Sequence, residues 1–288
     1  VSDGRDVRIA AIMEQIELTG VHSGDSACVI PPVMLSDEVL STVREYTRRL
    51  ARSLRTVGLL NIQYAEKDGV VYVIEANPRA SRTVPYVSKA TGVPWVHVAC
   101  RVIDGHTLDE LGVPDEPRLA GHYVKEVVLP FNKFVGEPAV LLPEMRSTGE
   151  VMGMDDGFGM AYAKAQMAAG NALPTRGTVF VSVNDHDKAN LVPIARDLSR
   201  LGLSLIATSG TAAYLRREGL AVDTVLKVSE GRPNGVDLII NGDIALVINT
   251  PLGGRSFGDE HVLRQAAIAH GVPVLTTLRT QLAGLPEI

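Results

Sequence analysis

The stretch "LLNIQYAEKDGVVYVIEANPRASRTVP", residues 59–85, decides the fold of the first half of this chain. Two runs of apolar, β-favouring residues flank the turn sequence "KDG" at 67–69, a pattern typical of antiparallel strands joined by a tight turn. Side chains alternate between the two faces of a strand. If odd-numbered positions pair across this hairpin, Gln63, Glu75 and Asn77 converge on one surface.

This set of side chains indicates a site for a hard cation. One carboxylate with two amide oxygens suits Mg²⁺ and not zinc or copper, and Mg²⁺ with few protein ligands keeps places for substrate phosphates. Arg79 and Arg82 follow directly and offer cations to anionic oxygens. A single polar residue on a half-exposed sheet is usually only solvated. The prediction therefore rests on the set, and on Glu75 following a mostly apolar run.

Composition excludes several classes of protein. The 288 residues suffice for two domains at roughly 150 residues each. A net charge of −5 gives no basic surface for nucleic acid or an anionic membrane. No apolar run approaches the ~20 residues that span a bilayer, and no signal peptide is visible. Cys28 and Cys100 are far apart, which does not favour a disulfide framework, so we expect a cytoplasmic globular protein.

Periodicity along the first half predicts several helices. Apolar positions near helical spacing predict one over 5–19. Ser36 is a favourable N-cap before an acidic first turn, with arginines later, and this pattern predicts a helix that Gly58 ends. Residues 95–104 predict a short helix, and the Ala-rich part of 155–176 predicts another before a Gly/Pro-rich stretch.

After about residue 168 the pattern changes to strands that alternate with helices. The strands are predicted at 178–183, 203–208, 221–228, 244–250 and 272–277. Repeated β-α units predict a doubly wound, mainly parallel sheet. Such sheets bind ligands at the carboxyl ends of their strands.

Polar residues collect at these strand ends and at the helix starts that follow them. The set comprises Ser182, Lys188, Thr208, Thr211, Lys227 and Asn249. Small hydroxyl residues at a helix N-terminus offer donors to an anion, although they are also ordinary N-caps. Two lysines and an asparagine at equivalent places favour a phosphate-binding pocket without an evident nucleophile or base.

Three motifs resemble the second ATP-grasp unit of the carbamoyl-phosphate synthase large subunit. They are "GVHSGDSACVIPP" at 20–32, "VIEANPRASRTVPYVSKATGVP" at 73–94 and "STGEVMG" at 147–153. The last part of the chain resembles a methylglyoxal-synthase-like domain through "VSVNDHDK", "IATSGTAAYL", "KVSEGRP" and "LVINTPLGG". The resemblance implies a partial ATP-grasp domain over 1–167, α+β with an antiparallel sheet, and an allosteric α/β domain with a parallel sheet over 168–288.

For the first domain, the resemblance implies ATP-dependent phosphorylation of carbamate, a step in pyrimidine and arginine synthesis. Glu75 would bridge two Mg²⁺ or Mn²⁺ ions, completed by Gln63 and Asn77, with K⁺ as a further candidate ion. Arg79 and Arg82 would steady the transferred phosphate or the carbamate. The nucleotide pocket would be lined by Gly20, Val21, His22, Ser23, Gln63 and Glu75. Taken alone, His22 would be a plain loop histidine.

For the second domain, the resemblance implies that the six strand-end residues bind a nucleotide effector such as UMP or IMP through its phosphate. Pro251 stands where relatives that bind UMP often carry a second Thr, and Pro donates no hydrogen bond. The Gly-Gly-Asp loop that supplies the base of true methylglyoxal synthases is missing, which favours binding over catalysis. An ornithine site is implied at Glu17, Asp25, Glu126 and Thr276, although Val274 stands where such relatives have Tyr.

The leading hypothesis is the carboxyl-terminal part of a glutamine-hydrolysing carbamoyl-phosphate synthase large subunit. Its implied partners are the rest of that subunit, a glutaminase small subunit and the small-molecule effectors, with neither nucleic acid nor membrane. A fragment supplying mainly one lobe of the ATP site is expected to be inactive alone. The alternatives are a module that only binds effectors and another ATP-grasp ligase, such as a biotin-dependent carboxylase. The regulatory-type domain argues against the second alternative.

Overall fold

The computed structural model describes residues 1–17, 21–129, 145–250 and 257–278. The chain forms two compact units, one of Val1–Gln15 with Cys28–Lys125 and one of Ile16–Ala27 with Glu126–Ile288. The domain boundary predicted near residue 168 falls inside the second unit and stays a prediction. Within the described ranges, no helix is both long and apolar enough to cross a bilayer. Neither of the two cysteines is in a disulfide.

The first unit is built from short antiparallel pairings and three helices. Its strands are β1 (Ser2–Asp3), β2 (Glu14–Gln15), β3 (Cys28–Ile30), β4 (Val57–Gly58), β5 (Asn61–Lys67), β6 (Val70–Asn77) and the first half of β7 (His122–Val128). Its helices are α1 (Asp37–Ser53), α2 (Val84–Thr91) and α3 (Trp95–Ile103). Strand β1 pairs with β4, β5 pairs with β6, and β3 lies between β2 and β7. All these pairs are antiparallel, which confirms the predicted arrangement.

Helix α1 begins where the sequence predicts and ends earlier. The Ser36 hydroxyl accepts a hydrogen bond from the Val39 amide at 3.4 Å, so the predicted N-cap is confirmed. The helix stops at Ser53, and not at Gly58 as predicted, because Arg55 adopts a left-handed φ of 50° that turns the chain. Gly58, with φ 104°, instead lies in β4.

The helix predicted over 5–19 is wrong. Its described part, residues 5–17, contains no helix, and Val7 and Ile9, two residues apart, are both buried. Residues 18–19 lie outside the described residues. The Ile9 amide donates to the Asp115 carbonyl at 2.8 Å, and the Arg8 amide donates to the Val1 carbonyl at 2.9 Å. These backbone hydrogen bonds hold the segment in a non-helical conformation, although its apolar residues have helical spacing.

Several elements of the first unit were not predicted, and α2 and β7 are the longest of them. Helix α2 carries a proline in its first turn and ends at Gly92, which has a left-handed φ of 71°. Both are ordinary helix-end residues, and they lie inside the motif that was interpreted for its chemistry. Strand β7 contains the fully buried Lys125, whose charge interrupts the apolar pattern.

The second unit holds the predicted doubly wound sheet. Its strands are β8 (Gly149–Asp155), β9 (Thr178–Ser182), β10 (Ser204–Thr208), β11 (Asp223–Val225), β12 (Leu246–Asn249) and β13 (Val274–Leu275). Its helices are α4 (Phe158–Ala168), α5 (Lys188–Arg200), α6 (Ser209–Arg217), α7 (Gly235–Ile240) and α8 (Phe257–Ala269). Helix α7 lies between the strands predicted at 221–228 and 244–250, where only a loop was predicted. The strands from β9 to β13 pair in parallel in the order β11-β10-β9-β12-β13.

This strand order positions a ligand crevice. The chain runs outward from β9 through β10 to β11 and then returns to β12 on the other side of β9. The carboxyl ends of β9 and β12 therefore flank the point where the winding reverses, the usual binding position in such sheets. Below that edge, a buried cluster including Phe180, Val247 and Leu263 packs the sheet against α8.

Candidate metal, nucleotide and effector sites

The hairpin has the predicted register. Gln63 lies directly opposite Glu75, and Asn61 lies directly opposite Asn77. A register shift between Gln63 and Tyr64 marks a β-bulge, which the sequence did not predict. Bulges re-aim side chains along a strand. Here the shift leaves Ile74 as the unmatched residue, next to the glutamate of the predicted metal set.

One face of the hairpin is covered and the other is open. Tyr64 packs with Val71 against α1, and its hydroxyl lies 2.8 Å from that of Thr47. Because side chains alternate, Gln63 belongs to the opposite face. Tyr72, which pairs with Ala65 two residues further along the same strand, is 52% exposed. The predicted metal set therefore lies on a face that the described part of this unit leaves open.

The donor set fits a hard divalent cation. The Asn77 Nδ2 donates to the Glu75 Oε1 at 2.8 Å, so these two side chains meet, and Gln63 stands opposite them. Glu75 is exposed and Asn77 is half-buried, which leaves room for water and phosphate oxygens. Among the described residues, no group of three or more His, Cys, Asp or Glu side chains could hold a metal ion. A site with one carboxylate is suited to Mg²⁺ that shares its coordination with substrate.

The two arginines predicted to face anions are exposed. Arg79 and Arg82 lie between β6 and α2. The Arg79 Nη1 donates to the Ala80 carbonyl at 3.0 Å, a bond that leaves other guanidinium donors on the same side chain. Both lie within five residues of Asn77 along the chain.

The loop predicted to line the nucleotide pocket belongs to the second unit. Gly20 lies outside the described residues, and Val21, His22 and Ser23 precede a compact turn. The His22 Nδ1 accepts from the Gly24 amide at 3.0 Å. This contact gives the ring a structural role, and a role in nucleotide binding stays a prediction for all four residues.

The three carboxylates of the predicted ornithine site bind donors of this chain. The Asp25 side chain, only 1% exposed, accepts from the Arg146 and Ser147 amides at 2.6 and 2.9 Å. The Glu17 Oε2 accepts from the Ser26 hydroxyl and the Ala27 amide at 2.6 and 2.7 Å.

The third carboxylate, Glu126, accepts from the Gln166 amide group at 2.5 Å. Thr276 is half-buried just after β13. An ornithine cation would have to share these acceptors with donors already in place. Ornithine binding at these residues stays a prediction.

The strand-end set of the second unit is brought together on one edge of the sheet. Ser182 pairs directly with Asn249, and the register of β9 with β10 places Thr208 beside Ser182. Thr208 also pairs with Val225, two residues before Lys227. Four residues of the predicted set thus lie at the carboxyl edge that the predicted topology gives them, namely Ser182, Thr208, Lys227 and Asn249.

The start of α6 offers backbone donors to an anion. Thr208 is its N-cap residue but makes no side-chain capping bond, so its first amides are not capped by that hydroxyl. A Cβ built on Gly210 would lie 3.4 Å from the Lys188 Nζ, which places this ammonium at the helix start. Thr211 is buried one turn in. A cation beside a helix N-terminus is a favourable environment for phosphate.

The Lys188 ammonium already has a partner. Its Nζ lies 2.6 Å from the Asp185 Oδ1. The Lys188 hydrogen bond and charge hold the pKa of the Asp185 carboxyl below its ordinary value, with smaller contributions from the charges of His186 and Lys227. Lys227, exposed beyond β11, is thus within electrostatic reach of the same carboxylate.

Asn249 is bonded to Ser182 of the predicted set and to Arg264, which the sequence analysis did not name. Its Nδ2 donates to the Ser182 carbonyl at 3.2 Å, and its Oδ1 accepts from the Arg264 Nε at 3.1 Å. The Thr250 hydroxyl accepts from the Asn184 amide at 3.1 Å. Asn184 follows the end of β9 and could have been found from that position. Arg264 lies on α8, far along the sequence, and carries no such signal. Pro251 lies outside the described residues.

Two parts of the chain match known protein families. Residues 1–111 match the family "Carbamoyl-phosphate synthase L chain, ATP binding domain", and residues 190–276 match "MGS-like domain". The chain is 52% identical over its full length to a carbamoyl phosphate synthase large chain from Methanosarcina barkeri and covers 72% of it. The chain belongs to the carbamoyl phosphate synthase large chain family.

Other members of this family are much longer than the chain. Carbamoyl phosphate synthase large chains of Methanosarcina acetivorans and Acidobacterium capsulatum are 52% and 54% identical to it over 100% and 99% of this chain. In each case the chain spans 27% of the relative's length. The family assignment confirms the predicted fold class, an ATP-grasp part with an MGS-like domain.

A biotin carboxylase domain of a single-chain bacterial carboxylase also resembles part of the structure. Its TM-score is 0.47 at 18% identity, covering 58% of this chain and 44% of that one. This similarity is too weak to favour the biotin-dependent carboxylase alternative over the carbamoyl phosphate synthase large chain family.

Proposed function

We propose that this chain is part of an ATP-dependent ligase that phosphorylates carbamate to carbamoyl phosphate, within a glutamine-hydrolysing carbamoyl phosphate synthase. The observation that carries the proposal is the hairpin. Gln63 stands opposite Glu75, which contacts Asn77, inside a region that matches the ATP binding domain of the family. Its partners would be the rest of the large chain and the glutaminase subunit, in the cytoplasm. Its product would feed pyrimidine and arginine synthesis.

In this proposal Glu75, Gln63 and Asn77 hold Mg²⁺ or Mn²⁺, which neutralises charge on the phosphates of ATP when bound. Phosphoryl transfer depends on positioning and charge neutralisation more than on covalent chemistry. The hairpin supplies positioning, because its ladder fixes where the carboxylate stands. Arg79 and Arg82, exposed beside it, would hold the anionic reactant in place.

The proposal extends to a regulatory role for the second unit. The Lys188 ammonium lies at the start of α6, and Thr208 and Ser182 end neighbouring strands beside it. These groups support binding of a phosphate-bearing effector such as UMP or IMP. Ornithine is the proposed ligand of Glu17, Asp25, Glu126 and Thr276.

A chimera tests the catalytic part. Residues 1–288 replace the matching region of the Methanosarcina acetivorans large chain, and ATP-dependent carbamoyl phosphate formation is measured. We expect activity in the chimera and a loss of about 100-fold or more with Glu75→Gln. Glu45→Gln, which removes the same charge from an exposed ion pair on α1, is the control. Full activity with Glu75→Gln would refute the metal role.

Calorimetry tests the regulatory part and the remaining alternative. UMP, IMP and ornithine are titrated into the chain, with Lys188→Met as the variant and Arg200→Met at the other end of α5 as its control. We expect only Lys188→Met to weaken nucleotide binding. Nucleotide binding together with an inactive chimera would support a module that only binds effectors.

A further inference from the structure

The Asp185 carboxylate forms an ion pair with Lys188, the cation of the proposed effector site. The Asp185 Oδ1 lies 2.6 Å from the Lys188 Nζ, a hydrogen-bonded ion pair. The same Nζ is the group that approaches Gly210 at the start of α6. We propose that Asp185 is a built-in competitor of the ligand phosphate. It pairs with Lys188 when no ligand is bound, and a phosphate dianion must displace it to bind.

The exposure of the two side chains suits this exchange. Asp185 has an 87% exposed side chain, so it can leave its partner and become hydrated at little cost. Lys188 is only 16% exposed, which holds its ammonium in place for whichever anion is present. The mobile member of the pair is thus the carboxylate, and the fixed member is the cation that the ligand needs.

The surrounding charges favour a dianion over the carboxylate. Lys227 acts on Asp185 electrostatically, and His186 adjoins it. A phosphate dianion can collect hydrogen bonds from the α6 amides and both lysines, whereas the aspartate is limited by its short tether. A ligand with a single negative charge gains less binding energy when it displaces Asp185 from Lys188. Asp185 therefore sets the affinity of the site and selects phosphomonoesters over carboxylates.

This inference rests on the proposed effector site and is tested by removing the competitor. Inorganic phosphate, UMP and uridine are titrated calorimetrically into the chain and into Asp185→Asn. Exposed ion pairs contribute little, so we expect phosphate and UMP to bind roughly two- to fivefold more tightly to the variant. Uridine lacks a phosphate and should show no change. Asp185→Glu, which restores a carboxylate, should return the affinity toward that of the unaltered chain.

Two further variants separate competition from general electrostatics. Asp197→Asn removes the same charge from an exposed pair with Arg200 on the same helix, far from the site. It should leave phosphate affinity unchanged. In a Lys188→Met background, Asp185→Asn should have no effect, because the shared cation is absent. The proposed competition would be refuted if Asp197→Asn raised phosphate affinity equally. It would also be refuted if Asp185→Asn still raised that affinity in the Lys188→Met background.

The outcomes also distinguish this inference from the function on which it rests. If phosphate binds, Lys188→Met weakens it and Asp185→Asn leaves it unchanged, the effector site stands and the competitor is refuted. If no probe binds to any variant, both are refuted. Binding by Asp185→Asn alone would support the competitor in its strongest form.

Discussion

The Asp25 carboxylate accepts a hydrogen bond from the Ser147 amide at 2.9 Å, although 122 residues separate the two in sequence. Its second oxygen accepts from the Arg146 amide at 2.6 Å. The Ser147 hydroxyl donates in return to the Gly24 carbonyl at 2.9 Å. Two of the motifs recognised in the sequence, around residues 20–32 and 147–153, are therefore joined at one buried aspartate.

The first prediction concerns this junction. Asp25→Asn should lower the free energy of unfolding by about 3 kcal/mol, because an amide NH₂ would face a backbone donor in a buried place. Urea denaturation of the chain measures the change. Asp243→Asn, an exposed position, is the matched control and should change stability by less than about 0.5 kcal/mol. Similar stability of both variants would contradict a structural role for Asp25.

The second prediction concerns the packing of α4 on β8. A Cβ built on Gly153 would overlap the Ala161 carbonyl and the Ala165 amide. Gly153→Ala should therefore destabilise the chain by about 3 kcal/mol or more, since backbone must move to make room. Gly149→Ala on the same strand is the control, because its Cβ would meet Val128 only at an ordinary 3.7 Å. Thermal unfolding measures the melting temperature of each variant, and we expect that of Gly153→Ala to be lower. Equal melting temperatures would show that α4 can move to make room for the added methyl group.

The third prediction concerns pH. The Lys164 hydrogen bond, 2.6 Å long, holds the pKa of Asp155 below its ordinary value of 3.8, helped by the Gly157 amide. The folded chain thus favours the carboxylate form. Its stabilisation is present above pH 3.8 and is lost as the pH falls through the lowered folded-state pKa.

A carboxyl-detected NMR titration measures this effect. In Lys164→Met the Asp155 pKa should rise toward its ordinary value. In Arg200→Met, which breaks a different surface ion pair, the pKa of Asp155 should stay below its ordinary value. An Asp155 titration curve that is unaltered by loss of Lys164 would assign the shift to the backbone amide instead.

The fourth prediction concerns metal and nucleotide binding by the hairpin. In the chimera, Glu75→Gln should weaken Mn²⁺-dependent ATP binding by at least about tenfold, because the set has one carboxylate and loses it. Electron paramagnetic resonance of Mn²⁺ gives the affinity. Glu45→Gln again serves as the control. Unchanged Mn²⁺ binding by Glu75→Gln would place the ion elsewhere.

Local patterns predicted several elements correctly. The hairpin register follows from alternating side chains and a short turn, so the pairing of Gln63 with Glu75 was predictable. The strands of the parallel sheet and its helices other than α7 were predictable too, because continuous apolar runs end at turn residues. The 5–19 segment failed because its partners, including Asp115, are distant in sequence. The bulge after Gln63 has no strong local pattern.

The sequence by itself determined the register of the hairpin and the strand ends at which the predicted site residues stand, because side-chain alternation and the succession of strands and turns are local properties. Only the tertiary structure decided which of them are already engaged. Asp25 is held by Ser147, Asn249 by Arg264 and Lys188 by Asp185. Hydrogen bonding depends on distances of about 3 Å between atoms. Packing of remote segments sets such distances, and spacing along the chain does not encode them.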